Sequence, residues 1–182
     1  MNARAIPLAF VCAAGLLVTS GLRAQSKPAA GPAGPVLVLT VAQGAAEIEL
    51  YPKDAPKSVE HILALIKRDF YRGQRFHWVL PGVVQVGDPQ SRNMYLQSSW
   101  GLKGSGEPIG VAEFSKRTFD RGAVGLAHQG DAKQADSQFF ICRTASPNLD
   151  GKYTMIGHVI KGMDVVDKIG MADILKTLTL KG

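Results

Sequence analysis

Cysteine is nearly absent from this chain. Its 182 residues include two, Cys12 and Cys142. Cys12 lies in a leader expected to be removed, so no internal disulfide can form and a disulfide scaffold is excluded. Cys142 then reads as a buried apolar residue beside Phe140. Histidine is also scarce. His61, His128 and His158 show no metal-ligand spacing with one another or with Cys142. No metal site and no cofactor are therefore expected. Neither charge sign dominates: 21 Lys and Arg face 15 Asp and Glu, for a net charge of +6. Removing residues 1–24 takes Arg4 and Arg23 and no acid, so the balance stays mildly basic. The basic residues are spread rather than clustered, which argues for a solvated surface and against nucleic acid. A phosphate loop is missing as well. The glycine-rich run GLKGSGEP lacks a Gly-Lys-Ser/Thr ending and opens no helix, so it reads as a mobile surface loop.

Long apolar runs are confined to the start. Met1 to Arg4 is basic, Ile6 to Leu22 is apolar, and Leu22-Arg23-Ala24 resembles a cleavage site. This is the pattern of a secretory signal peptide over residues 1–24. The apolar run is short and rich in small residues, so a cleaved signal is favoured over an uncleaved anchor. The protein is expected to be exported, periplasmic or secreted, with no stable membrane insertion after cleavage. Gln25 to Pro35, rich in Pro, Ala and Gly, reads as a flexible leader. The remainder, 36–182, is long enough for one domain with its own core.

What the chain does have is a strand-like stretch from Arg75 to Pro89, RFHWVLPGVVQVGDP. Phe76 to Leu80 is broken by Pro81-Gly82, and Val83 to Val86 resumes the apolar run. A second such stretch is Ser137 to Cys142. Each carries one glutamine, Gln85 and Gln138, among apolar neighbours. An amide buried there without partners costs about 1–3 kcal/mol. Either the fold satisfies both amides, or they point into a cleft and hold a ligand.

Other elements follow from periodicity. Val36 to Val41 and Ala45 to Tyr51 read as a hairpin turning at Gln43-Gly44, with Glu47 and Glu49 alternating against Ile48 and Leu50. Asp54 is the expected N-cap of a helix whose buried face carries Val59, Ile62, Leu63, Ile66 and Phe70. Arg121 to Ala127 reads as a short strand, and Tyr153 to Ile160 as two short strands around Gly157. Gly162 to Ile169 reads as a brief helix and Ile174 to Leu180 as a closing strand. About eight strands and two helices give a mainly β class: a closed antiparallel barrel with helices capping its ends.

The motifs APKSVEHILALIKRDFYRGQRFH, PGVVQVGDP, DSQFFI and LDGKYTMIGHVIKGMDVVDKI occur in that order. Together they resemble the cyclophilin-type peptidyl-prolyl cis-trans isomerases over about Val36 to Leu180, and DSQFFI is the most specific match. The resemblance implies an eight-stranded barrel capped by two helices and a substrate class of proline-containing polypeptides. It implies isomerisation of X-Pro bonds, here in assisting the folding of exported proteins. The block to that rotation is a barrier of about 18–20 kcal/mol set by amide resonance. An enzyme need only bind the twisted state better than either planar one. A monomer is expected.

Carried over by motif, Gln85 would contact substrate backbone, Gln138 would line the adjoining groove, and Phe140 would floor the proline pocket. Leu149 would add a wall. Ala127 and His128 would hold the residues before proline. Tyr153 stands where the family usually has histidine. Asn148 stands where many members have tryptophan, which thins that wall. His77 reads as a structural histidine. Two departures stand out. Trp78 occupies the position where the family has its arginine, and an indole offers one N–H in place of a guanidinium. Trp78 is either core filler or a new groove wall, with the wall favoured. The segment after Pro81-Gly82 is one residue short of the family pattern, which has a phenylalanine there, or Val83 takes that place. Arg75 lies near in sequence, but strand alternation turns it to the opposite face from residue 78. Two functions remain in view: a slow or narrow isomerase, and a non-catalytic module that holds proline-containing segments. A barrel with a closed cleft is a third, disfavoured by Gln85, Gln138 and Phe140.

Overall fold

The computed structural model describes residues 34–182. The expected signal peptide and residues 25–33 of the leader lie outside the described residues. Eight antiparallel strands form one sheet: β1 (Val36–Val41), β2 (Gly44–Leu50), β3 (Trp78–Leu80), β4 (Val83–Val86), β5 (Ala123–Leu126), β6 (Phe139–Cys142), β7 (Met155–Lys161) and β8 (Thr177–Leu180). Their order across the sheet is β3-β4-β6-β5-β7-β2-β1-β8. Helix α1 (Pro56–Lys67) lies against β8, and the short α2 (Met163–Asp167) lies against β2.

The curled sheet is not a fully closed barrel, which corrects the expectation. β3 and β8 are its two ends and do not pair with each other. The seam between them is spanned by the segments preceding each strand. An isolated bridge joins Arg75 to Ile174, Gly73 N–H donates to the Leu175 carbonyl, and Phe76 N–H donates to the Asp173 carbonyl.

Alternation works as the pattern requires in the first hairpin. Ile48 and Leu50 are buried while Glu47 and Glu49 are half-exposed. The turn is the two-residue Ala42-Gln43, with Val41 opposite Gly44. Gly44 sits at φ +140°, a conformation few side chains tolerate. The leader is already tied down at its end, because Leu50 N–H donates to the Pro35 carbonyl.

The face of α1 buries Val59, Ile62 and Leu65 completely, with Leu63, Ile66 and Phe70 packed around them. Each fully buried aliphatic side chain contributes about 1.5–3 kcal/mol, so packing rather than propensity holds this helix. Its cap differs from the expected one. Ala55 is the N-cap and has no side-chain acceptor. The orphan N–H groups of Lys57 and Ser58 are taken by the two carboxylate oxygens of Glu113, at 3.1 and 2.9 Å. Asp54 instead accepts from Arg117 Nε at 2.7 Å.

Other boundaries shift: the strand expected from Phe76 begins at Trp78, the brief helix is Met163–Asp167, and the closing strand begins at Thr177. Tyr153 to Ile160 is not two strands around Gly157; a single strand runs Met155–Lys161, with Gly157 inside it. An added Cβ there would lie 2.3 Å from the Glu49 carbonyl oxygen, so glycine lets β7 approach β2. The strand expected over 121–127 is the four residues of β5. The long loop after Val86 contains two 3-10 turns, Pro89–Arg92 and Met94–Ser99.

Candidate active-site cleft

Register builds a row across five strands. Trp78 lies opposite Gln85, Gln85 opposite Phe140, Phe140 opposite Gly125, and Gly125 opposite Met155. Residues directly opposite one another share a face of the sheet. A cleft of about 540 Å³ opens over the middle of this row. It is lined by nine of the residues singled out in the sequence: Val83, Gln85, Ala127, His128, Gln138, Phe140, Asn148, Leu149 and Tyr153.

The floor is aromatic. Phe140 is 4 % exposed and stacks on Phe119, with ring centroids 5.7 Å apart. Tyr153 meets Phe140 edge-on at 5.5 Å, and the His128 ring lies 4.5 Å from Tyr153. Val83, Ala127, Leu149 and Tyr153 pack around this cluster as partly buried neighbours. The result is a shallow apolar bed of a size and chemistry suited to a proline ring. Gly125 makes the floor possible. A Cβ there would lie 2.5 Å from Phe140 Cζ and 2.7 Å from Phe119 Cε1. Neither Gly125 nor Phe119 carried a signal in the sequence, because the need for them arises only when two rings stack over one strand.

Gln138 is the hub of the polar side. Its Oε1 accepts from Gln85 Nε2 at 2.8 Å and from His77 Nε2 at 3.0 Å. Its Nε2 donates to the carbonyls of Gly101 at 2.9 Å and Lys103 at 2.8 Å. Both amide hydrogens and both lone pairs are thereby used. Gln138 lines the cleft but has no polar capacity left for a ligand, so its part is to position others. It fixes the Gln85 amide with Nε2 inward, and Gln85 Oε1 has no hydrogen-bond partner among the described residues. His77 is 7 % exposed, and its Nε2 carries the proton it gives to Gln138. Burial holds its pKa below the ordinary histidine value.

The glycine-rich segment expected to be a mobile surface loop forms one wall of the cleft and is anchored at three points. The buried Asp88 carboxylate accepts from Gly101 N–H at 2.6 Å and Lys103 N–H at 3.2 Å. Gln138 holds the same two residues by their carbonyls. Asp136 accepts from Ser105 Oγ at 2.5 Å, Gly106 N–H at 2.9 Å and His61 Nε2 at 3.0 Å. Burial works to raise the Asp136 pKa, but these hydrogen bonds outweigh it and the net shift is downward.

Trp78 is neither core filler nor part of the cleft lining. It is 54 % exposed, on the cleft side of β3 by register with Gln85, just beyond the lining residues. The exposure excludes core filler, and the register places Trp78 at the outer rim on the cleft side. No arginine lines the cleft among the described residues. Arg75 is spent at the seam, where Nη1 donates to the Ala172 carbonyl at 2.9 Å. Arg143 donates to the Val166 carbonyl at the end of α2. In the short segment Leu80 pairs with Val83, so Pro81-Gly82 is a two-residue turn. Val83 keeps a strand position over the aromatic floor. Cys142, also beneath this floor, is buried, and burial pushes its thiol up to about 11, which makes it an inert packing group.

Comparison with known proteins bears on the family and the fold. The family model described as cyclophilin type peptidyl-prolyl cis-trans isomerase matches residues 36–179. A Brucella suis protein named "Probable peptidyl-prolyl cis-trans isomerase" is 42 % identical over 149 residues, covering 80 % of this chain and 76 % of its own. A Helicobacter pylori peptidyl-prolyl cis-trans isomerase is 34 % identical over 140 residues, covering 75 % and 80 %. Among solved structures, a cyclophilin-type isomerase of Cryptosporidium parvum superposes with a TM-score of 0.71 at 24 % identity. That match covers 81 % of this chain and 98 % of the other, and is a likeness of fold.

Proposed function

The chain belongs to the cyclophilin-type peptidyl-prolyl cis-trans isomerase family, and from that premise we propose that its cleft turns over X-Pro bonds in exported polypeptides during their folding. The observation that carries this reading is the joint placement of Gln85, Gln138 and Phe140 on one face, over an open apolar bed. Phe140, Val83 and Leu149 seat the proline ring. Gln85, oriented by Gln138, offers Oε1 and its remaining N–H to the substrate backbone. Ala127 and His128 flank the residues before proline, with Tyr153 buttressing His128. Catalysis requires that these contacts grip the twisted X-Pro bond better than either planar form, since only that difference lowers the barrier. No bond is made or broken and no proton need move.

Export rests on the pattern of residues 1–24. The test is magnetisation-exchange spectroscopy on an Ala-Ala-Pro-Phe peptide with the protein present. Faster cis–trans exchange supports catalysis.

One observation favours a second reading. The position facing Gln85 holds Trp78, and among the described residues no guanidinium lines the cleft to bond the prolyl nitrogen as it becomes pyramidal. A cleft with the bed and the amides but no cation would hold proline segments without turning them over. Peptide binding at unchanged exchange would select this holding role.

A further inference from the structure

The β3–β4 hairpin, residues 78–86, carries no charged side chain. Trp78 and Leu80 stand two residues apart on β3 and so share its face, at 54 % and 48 % exposure. Leu80 lines the cleft, and so does Leu102, 62 % exposed, from the anchored loop. β3 is the terminal strand of the sheet, so among the described residues no further strand lies beyond Trp78. Two large apolar side chains this exposed on one face of an edge strand, with a third lining the same cleft, mark a contact surface. The surface is continuous with the cleft: Trp78 continues the row Gln85–Phe140 outward, and Leu80 is opposite Val83 beside the apolar bed.

We propose that Trp78 and Leu80, with Leu102 across the cleft, form a specificity subsite for a large apolar side chain directly following the substrate proline. This rests on the isomerase reading of the cleft. The direction follows from topology. Ala127 and His128 follow β5, two strands from β4 and three from β3. A segment that crosses the sheet with its pre-proline residues there and its proline over Phe140 brings its next residues over β3. The occupant is apolar, matching the side chains of the hairpin; the cation that reaches the hairpin, Arg143, is engaged with the backbone carbonyls of Leu80 at 3.3 Å and Val166 at 2.9 Å. Segments of this kind, proline followed by a core-type side chain, are exposed in unfolded polypeptides and buried in folded ones.

The experiment compares Ala-Ala-Pro-Leu and Ala-Ala-Pro-Gly peptides by NMR titration and exchange spectroscopy with the full-length protein. The leucine peptide is expected to bind about tenfold more tightly, which corresponds to about 1.4 kcal/mol. Its binding should shift the Trp78 indole N–H resonance, whereas the glycine peptide leaves that resonance in place. In the Trp78→Thr, Leu80→Thr double variant the preference should fall to near parity. Equal affinities in the unmodified protein, with both peptides bound and exchanging, overturn the subsite and leave the isomerase reading standing. A preference that survives the double variant also overturns it. The indole signal decides the matter if that variant does not fold. If neither peptide binds, both the subsite and the isomerase reading fall.

Discussion

Gln85 Nε2 donates to Gln138 Oε1 at 2.8 Å, so the two glutamines that interrupt separate apolar strands answer each other across the sheet. The pair resolves two demands together. The Gln138 amide is satisfied internally, and it leaves Gln85 with a fixed orientation and a free oxygen toward the cleft. A buried amide is tolerated here because it organises a ligand-facing one.

Gln138→Leu is expected to be costly in two ways. It strips the acceptor from Gln85 and His77 and the donor from the Gly101 and Lys103 carbonyls. Stability should fall by about 1–3 kcal/mol in urea unfolding. The isomerisation rate should fall at least tenfold, because both the Gln85 orientation and the loop wall are lost. A stable variant with full activity would remove Gln138 from its positioning role.

Gly125→Ala tests the aromatic floor. The new methyl collides with Phe140 and Phe119, and overpacking of this kind costs about 1–3 kcal/mol. Denaturant unfolding should show that loss. Peptide affinity should drop as Phe140 is pushed up into the bed. A neutral substitution would mean the two rings have room to part.

Stability should decline in mild acid partly through His77. Its folded pKa lies below the ordinary value because of burial. As pH falls below about 6.5 the unfolded chain takes up the proton first. The contribution of neutral His77 is therefore complete above about pH 6.5 and is lost as pH drops toward the folded pKa. His77→Gln keeps a donor for Gln138 without titrating. Unfolding midpoints at about pH 7 and about pH 5 should differ less in this variant than in the parent. An equal difference would remove His77 from the acid response.

Trp78→Arg should restore a cation on the cleft face, opposite Gln85. One preorganised donor is worth roughly 10²–10³ in rate in the hydrolase case, so a rise of at least tenfold in isomerisation is expected. The position is exposed, and stability should change by no more than about 0.5 kcal/mol. An unchanged rate would mean that the rest of the cleft does not align a substrate for that cation to act on.

Much of this arrangement is legible in the amino-acid order, and the remainder has a common physical cause. Glu47 and Glu49 alternating with Ile48 and Leu50 announce a half-exposed strand, and Val59 and Ile62 announce a helix face, because both patterns are local. Family motifs bring Gln85, Gln138 and Phe140 to notice before any coordinate does. Glu113 capping α1 from 55 residues away could not be read, because Asp54 offered a nearer and equally plausible acceptor. Nor could the anchoring of the glycine-rich loop, since Asp88 and Asp136 look like ordinary turn residues until the fold brings N–H groups to them. The open seam between β3 and β8 and the requirement for Gly125 belong to the same class: they depend on contacts between segments, not on any single segment. Trp78 was noticed as a departure, but its place on the rim rather than in the wall is set by how far the cleft extends along the row.

The most direct measurement is the cis-to-trans exchange rate of Ala-Ala-Pro-Phe in the presence of the full-length protein, taken together with its binding isotherm. Exchange that accelerates in proportion to enzyme concentration is the predicted result. Saturable binding with exchange unchanged would contradict catalysis and leave a cleft that holds proline segments without turning them.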